Sequence, residues 1–429
     1  MKKTCGLVLT LFIFTWLGAQ EDPAKDMKKV SRNIANYNLD PVTNADALTE
    51  SVALIEGVVK NSAYEKDGKA WLLYGNVYGE IINNMTQVLV LDTAATVSSP
   101  EAVTKTLKGY QNAIMYAEKS YDKKDAVTGL KSILPNMYYV ANIILNRQEY
   151  HNAYLAYHAV AEAETLVDKN DAEGIFDEQE LQNTKFVTGV CAYSAGLSED
   201  AVALLSDLKQ SSYDDAGVYE YLYKSLNALD RNDEASVILI EGRTRYPDDK
   251  GLLFAEINDA LAKGDLTALV DKLKMAMAAE PENISVPTTL GNVYDQLYQK
   301  ALADGDMVTA HSHFDNAKLY ISKALEINPE HFDAVYMMGA LEYNKAAELA
   351  NEVNILADDY SKEGTKKYNE KQAEMMAQFE KALPFFERAE MLNPDDSNTL
   401  LALREIWARK GDFEKSNEYK AKFERINGN

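Results

Sequence analysis

The chain has 429 residues, with 44 Lys plus Arg against 67 Asp plus Glu, so its formal charge is −23. Apolar residues make up 46%, which is enough for a substantial buried core and too many for a disordered chain. The excess of acids argues against a nucleic-acid partner, which needs a basic surface for its phosphates, and against electrostatic docking on anionic lipid. No segment after the N-terminus is apolar for long enough to predict an integral membrane protein.

The N-terminus is typical of a secretory signal peptide. Lys2 and Lys3 precede an apolar run over 7–17, and Ala19 offers a small residue for cleavage. An uncleaved anchor is the alternative, but the run is short for a membrane span. Cys5 precedes the apolar run, so it does not occupy the place of a bacterial lipid-attachment cysteine. The sequence predicts a signal peptide over 1–19 and a periplasmic or secreted protein without a lipid anchor.

Cys191 is the one cysteine that would remain after this cleavage. A single thiol cannot form an internal disulfide, so the stability of the exported chain is expected to come from packing. Cys191 follows Gly189 and Val190 within a predicted helix, and we interpret it as a small buried residue and not as a nucleophile.

A 34-residue phase runs through the middle of the chain. Gly189, Tyr223, Ile257 and Gly291 follow one another at intervals of 34 residues. Residues 71–78 read Trp-Leu-Leu-Tyr-Gly-Asn-Val-Tyr and nearly repeat the pattern W-x2-L-G-x2-Y, while residues 290–294 carry its second half. Further positions equivalent to the central glycine can be placed, at irregular steps, on Gly75, Ala141, Gly339 and Arg404.

These residues resemble the tetratricopeptide repeat (TPR) family, whose unit is a helix–turn–helix of 34 residues. The resemblance covers nearly all of the chain after residue 19. It implies an all-α fold, a right-handed superhelical TPR solenoid of about eight to nine helix pairs, some with lengthened helices. A small residue at the glycine position would let the two helices of a pair cross closely.

The expected domain organisation is a single TPR solenoid over 20–429. Its parts are regular repeats over about 182–282, lengthened repeats over about 68–181 and 283–392, and a C-terminal repeat over 393–429. The step from Gly291 to Gly339 exceeds 34 residues by 14, which fits seven extra residues, about two turns, on each of two helices. We expect the same lengthening of two paired helices in the steps from 75 to 141 and from 339 to 404. In the step from 141 to 189 the extra residues should instead form a loop around 168–177.

No motif predicts catalysis or metal binding. The five histidines lack the i,i+4 spacing that binds zinc from one helix. The acidic segment 168–180 superficially resembles a calcium loop, but neither register places an oxygen ligand, a glycine and an acid where that loop requires them. We therefore expect no enzymatic activity, no cofactor and no metal.

A peptide-binding surface follows from the TPR resemblance. It implies that the residue just after each glycine position, and the residue three before it, line the concave surface. An asparagine amide can donate to and accept from one peptide unit, and neighbouring aromatic rings can cover apolar side chains. The candidate binding residues are Asn76, Tyr138, Asn142, Phe186, Phe254, Asn258, Asn292 and Tyr336. The alternative is that asparagine is merely common at this place in TPR units.

The function that these features favour is an exported, non-enzymatic scaffold that binds a polypeptide or assembles an envelope complex. Some TPR proteins bind a C-terminal carboxylate with a lysine that stands four residues before this asparagine. No lysine stands four residues before Asn76, Asn142 or Asn292. A glycan- or nutrient-binding component of a surface uptake system is the alternative, although that class usually has a lipid-anchor cysteine and large inserted loops. An accessory domain of an enzyme complex is a third.

Overall fold

The structure is a computed structural model that describes residues 22–170 and 172–428. These two ranges contain eighteen α-helices and no β-strand, which confirms the all-α prediction. The predicted signal peptide over 1–19, with Cys5 inside it, lies outside the described residues. The chain divides into two compact units, with the boundary between Glu241 and Gly242.

The first unit holds five helix pairs, the last of which ends just past the boundary. Its helices are α1 (Pro23–Leu39), α2 (Ala45–Lys60), α3 (Gly68–Leu91), α4 (Ala102–Met115), α5 (Ser120–Asn146), α6 (Tyr150–Asp168), α7 (Glu178–Ser194), α8 (Ser198–Gln210), α9 (Ala216–Ala228) and α10 (Asn232–Arg245).

The second unit holds four pairs. Its helices are α11 (Lys250–Lys263), α12 (Leu266–Ala279), α13 (Ser285–Ala303), α14 (Met307–Ile327), α15 (Phe332–Leu356), α16 (Lys362–Leu392), α17 (Ser397–Arg409) and α18 (Phe413–Asn427). The described residues thus form nine consecutive pairs, and α1 with α2 is the degenerate first pair.

Aspartates begin many of these helices and account for part of the acidity. In each case the side chain accepts a hydrogen bond from a backbone N–H of the first turn, a donor that the helix itself cannot satisfy. Asp177 and Glu180 form a full capping box at the start of α7. The other aspartate caps are Asp22, Asp67, Asp215, Asp249, Asp265, Asp306, Asp396 and Asp412.

The glycine positions of the 34-residue pattern are close helix crossings, as the resemblance implies. A methyl group at Gly291 would lie 2.5 Å from Cγ1 of Ile321, which belongs to the partner helix. At Gly189 it would lie 2.9 Å from the side chain of Leu205. A larger residue at either position would push the two helices apart, so the sequence pattern directly sets the interhelical distance.

The helix lengths explain why some steps between glycine positions exceed 34 residues, with one exception. α13 and α14 have 19 and 21 residues against 14 in each of α11 and α12, and α15 and α16 have 25 and 31. The prediction of two matched long helices is wrong for the step from 75 to 141. There α3 has 24 residues but α4 has only 14, and the remainder lies in the loop 92–101 and at the start of the 27-residue α5.

The step from 141 to 189 contains the predicted loop, which lies between the end of α6 and the start of α7. α6 adds to this step because it has 19 residues.

Each unit has its own apolar core. In the first unit large side chains such as Tyr78, Leu134 and Tyr157 are at most 2% exposed. In the second unit Tyr298 and Phe379 are buried to the same extent in two neighbouring clusters. Within the described residues no helix combines the length and apolar character that crossing a membrane requires.

Candidate functional site

The asparagines predicted to bind a peptide in the first unit are engaged within their own helix pairs. The Oδ1 atom of Asn76 accepts a hydrogen bond of 2.8 Å from the hydroxyl of Tyr110, which lies on the partner helix α4. Asn142 does the same with Tyr157 on α6, also at 2.8 Å, and its Nδ2 donates to the carbonyl of Tyr138. These two amides hold helix pairs together, and each keeps only part of its hydrogen-bonding capacity for a ligand.

The aromatic residues predicted for the first unit are half-buried and stacked on other rings. Tyr138 packs edge-on against Phe176, with ring centres 5.0 Å apart. Phe186 lies 5.8 Å from Tyr213 and 6.2 Å from Tyr221. Their ring faces are therefore partly covered before any ligand arrives.

The second unit presents its two asparagines differently. Asn258 and Asn292 are exposed, and the Oδ1 of Asn292 accepts from Gln296 one turn further along α13. Phe254 packs against the apolar core, while Tyr336 lies 5.8 Å from the ring of Phe386. In this unit the two asparagine amides face solvent, while the two aromatic rings pack against the apolar core.

A longer polar row on α3 is the feature that the sequence prediction missed. Asn76, Glu80, Asn83 and Gln87 are spaced i, i+4, i+7 and i+11 and so share one face of the helix. Of these four residues the sequence prediction included only Asn76, because it took just two positions from each repeat. The rest lies beyond the length of a regular first helix, and following the stripe along the lengthened α3 would have found it.

This row is joined to the neighbouring first helices by hydrogen bonds. The Nδ2 of Asn83 donates to Glu80 at 3.1 Å, and the Oδ1 of Asn83 accepts from Nδ2 of Asn136 on α5 at 2.8 Å. On the other side, Nδ2 of Asn38 on α1 donates to Glu80 at 3.2 Å. The amide groups are therefore held in fixed orientations across three parallel first helices.

The row borders an open cleft of about 500 Å³ between α3 and α5. We call it the α3–α5 cleft, and it is lined by Glu80, Asn83, Thr86, Gln87, Val90, Leu91 and Asn136. The hydroxyl oxygen of Thr86 is buried and has no hydrogen-bond partner in the described ranges. Val90 and Leu91 are 63% and 89% exposed, which leaves an apolar edge beside the polar row.

This arrangement can hold a segment of extended polypeptide. Oriented amides can accept from and donate to peptide groups, and a buried hydroxyl without a partner can gain a hydrogen bond. An exposed apolar edge can cover an apolar side chain of the same segment. Glu80 is the single ionisable residue that lines the cleft.

The acidic segment after α6 folds as a capped loop. The Oδ1 of Asp168 accepts from the amide of Gly174 at 3.2 Å, and Glu164 accepts from the amide of Phe176 at 2.9 Å. Across the ranges 22–170 and 172–428, no three His, Cys, Asp or Glu side chains are grouped so as to hold a metal ion. Cys191 is fully buried, as predicted, and burial raises the pKa of its thiol to about 11.

No family model matches the sequence, and no curated protein matches it. Among solved structures, a mutant of MamA is similar at 18% identity and a TM-score of 0.34, covering 51% of this chain and 100% of its own. A TPR protein from Bacteroides fragilis is similar at 18% identity and a TM-score of 0.27, covering 64% and 98%. YrrB, titled a TPR protein with an unusual peptide-binding site, is similar at 14% identity and 0.33, covering 51% and 97%.

These similarities are too low to carry an argument about this chain. The fold follows instead from the chain's own features. Helix pairs succeed one another throughout the described residues, the 34-residue phase places a glycine at the crossings of α7 with α8 and of α13 with α14, and residues 71–78 lie in a first helix as the motif requires. The protein is therefore a helical repeat protein built of consecutive helix pairs, the architecture that the TPR resemblance predicts.

Proposed function

We propose that this protein is a non-enzymatic scaffold that binds a polypeptide partner in the α3–α5 cleft. The observation that supports the proposal is the pair of hydrogen-bonded amides Asn83 and Asn136 beside exposed Val90 and Leu91. Glu80 accepts from Asn83 and also from Asn38 on α1. An array of this kind recognises the peptide backbone and one or two apolar side chains. It offers no nucleophile with an adjacent base, which is why binding is favoured over catalysis.

The cleft is preorganised for such a ligand. Asn83 and Asn136 are already oriented by their neighbours, so binding need not order these two side chains, which lowers its entropic cost. Each hydrogen bond to the bound peptide would contribute about 1 kcal/mol, and the apolar edge would add the burial of Val90 and Leu91.

We further propose that the partner is met outside the cytoplasm. The basic start, apolar run and small residue over 1–19 support export, and the net charge of −23 supports a soluble envelope scaffold and disfavours nucleic acid as a partner. A partner in the cell envelope then follows, with assembly of a complex as the outcome of binding.

The experiment is site-specific photocrosslinking in the native host. A photoreactive phenylalanine analogue replaces Gln87, which is exposed in the cleft, and in a matched variant it replaces Ala203, which is exposed on α8. We expect a discrete protein adduct from position 87 and none of the same mass from position 203. Adding Asn136→Ala to the position 87 variant should reduce the adduct several-fold.

Two results would overturn the proposal. The first is an adduct only at position 203, which would move binding to the second helices. The second is a saccharide adduct at position 87, which would favour the uptake-system alternative. Export is tested separately by comparing the mass of the mature chain with the mass expected after cleavage at residue 19.

A further inference from the structure

The first unit contains another cavity, of about 390 Å³, that shares no lining residue with the α3–α5 cleft. It lies among the second helices α4, α6 and α8 and the N-terminal half of α7, and we call it the α6–α8 pocket. Its volume lies within the range of pockets that hold small molecules. The proposed polypeptide binding makes no use of it.

The loop between α6 and α7 borders the pocket through Lys169. This loop separates the end of α6 from the start of α7, and two backbone hydrogen bonds anchor it, from Gly174 to Asp168 and from Phe176 to the fully buried Glu164. The capping box of Asp177 then fixes the first turn of α7. These contacts fix the end of α6 and the start of α7, two of the helices that line the pocket.

Its walls differ in character. Leu107, Leu204 and Leu208 supply an apolar side from α4 and α8. Facing them, α7 contributes Gln182 and Thr188, which are 6% and 0% exposed. Gln182 donates to Glu178 at 2.7 Å and the hydroxyl of Thr188 donates to the carbonyl of Thr184 at 2.7 Å, so both side chains are held in place within α7. The Oε1 of Gln182 can still accept a hydrogen bond from a ligand.

Charges of both signs line the same pocket. Lys185 is half-buried on the α7 wall and forms no ion pair with any described residue. Asp207 on α8 and Glu162 on α6 also line it, and Asp207 has no side-chain partner in the described part of the chain. In a chain with 67 acids, a half-buried lysine without a carboxylate partner is an open site for an anionic group.

We propose that the α6–α8 pocket binds a small apolar zwitterion of the class of a free dipeptide. The carboxylate of the ligand pairs with Lys185, its ammonium group pairs with Asp207 or Glu162, and its apolar side chains pack on Leu107, Leu204 and Leu208. Both charged ends are required, because burying one charge without the other leaves it uncompensated.

Isothermal titration calorimetry on the full-length protein tests this with three probes: L-leucyl-L-leucine, its N-acetyl derivative and its C-terminal amide. We expect the free dipeptide to bind and each blocked derivative to bind at least tenfold more weakly. Lys185→Gln should weaken the free dipeptide about tenfold and leave the amide unchanged. Lys124→Gln, at an exposed lysine of α5, is the matched control and should change neither.

Asp207→Asn supplies the second arm, since it should weaken the free dipeptide and leave the N-acetyl derivative unchanged. No heat with the free dipeptide at millimolar concentration would overturn the proposal, as would equal binding of all three probes. Unchanged affinity in a folded Lys185→Gln variant would also overturn it. None of these outcomes bears on the cleft, because the two sites share no residue.

Discussion

Gly109 in α4 packs directly on Gly75 in α3, so that a methyl group at Gly109 would lie 2.5 Å from the backbone nitrogen and Cα of Gly75. Beside this contact, the ring of Tyr110 lies against Gly75 and its hydroxyl donates to Asn76. The two glycines therefore let α3 and α4 approach closely enough for that hydrogen bond to form. The crossing is made by backbone contact and not by interlocking side chains.

Gly109→Ala should destabilise the first unit by about 1–3 kcal/mol. The added methyl group meets backbone atoms, which cannot rotate away, and the overpacking exceeds the gain of about 1 kcal/mol in helix propensity. Equilibrium urea unfolding, followed by circular dichroism at 222 nm, measures this change.

Gly57→Ala is the matched control within the same unit. A methyl group at Gly57, in α2, would meet nothing within 4 Å, so this variant should be stabilised by up to about 1 kcal/mol. Unchanged or raised stability of Gly109→Ala, like that expected of Gly57→Ala, would show that the crossing at Gly75 is looser than the structure has it.

Two of the crossings could be predicted from the sequence because their glycines lie in one series with a constant interval. The 34-residue phase identifies Gly189 and Gly291 as crossing points from sequence spacing alone. The length of α4 could not be predicted in the same way. A step of 66 residues from Gly75 to Ala141 fits either two matched long helices or one long helix with a loop, and periodicity does not distinguish them.

Glu56 on α2 joins three helices and should make stability depend on pH. The hydroxyl of Tyr78 on α3 donates to Glu56 at 2.6 Å, and Lys105 on α4 donates to it at 3.0 Å. The Tyr78 hydrogen bond first, and then the Lys105 hydrogen bond, lower the pKa of Glu56 from 4.5 to about 2. Because the folded pKa is depressed, this stabilisation is complete above about pH 5 and is lost as the pH falls towards 2.

Tyr78→Phe should therefore cost about 1–2 kcal/mol at pH 7 and clearly less at pH 3. Urea unfolding at the two pH values measures the difference between the variant and the parent chain. Tyr121→Phe is the control, because Tyr121 is 54% exposed and its change should cost less than about 0.5 kcal/mol at either pH. A cost for Tyr78→Phe that is the same at both pH values would exclude Glu56 as the titrating partner.

Cys191 should resist thiol reagents while the protein is folded. It is fully buried in α7, and burial raises the pKa of its thiol to about 11, so little of the reactive thiolate is present at pH 8. In a chain lacking residues 1–19, the disulfide reagent DTNB should label it slowly in buffer and within minutes in guanidinium chloride. Cys191→Ala combined with Ala203→Cys places the thiol on the surface, and this control should react at once. Rapid labelling of native Cys191 would instead indicate a functional thiol.

The candidate site could be predicted only in part. The inward-facing asparagines can be read from the sequence. The structure places Asn76 at the start of the polar row on α3 that borders the α3–α5 cleft. The contact between Asn83 and Asn136 depends on how α5 lies along α3, and the non-repeating loop 92–101 and α4 lie between these helices in the chain. A pattern that counts residues from one glycine to the next carries no information about such a loop.

The asparagine stripe itself should separate into two classes when it is mutated. Asn142 accepts from the hydroxyl of Tyr157, which is 2% exposed, so Asn142→Ala leaves a buried donor without a partner. This should cost about 1–3 kcal/mol of stability. Asn258 is exposed on α11, and Asn258→Ala should change stability by less than about 0.5 kcal/mol.

A double-mutant cycle shows whether the loss at Asn142 arises from this one hydrogen bond. Tyr157→Phe removes the hydroxyl that Asn142→Ala would leave unpaired, so the second change should cost about 1 kcal/mol less in the presence of the first. The free energies come from urea unfolding of the parent, the two single variants and the double variant. Costs that simply add would mean that the two side chains act independently. Asn142 would then be available to a ligand to the same degree as Asn258, and the uniform peptide-binding stripe predicted from the sequence would be restored.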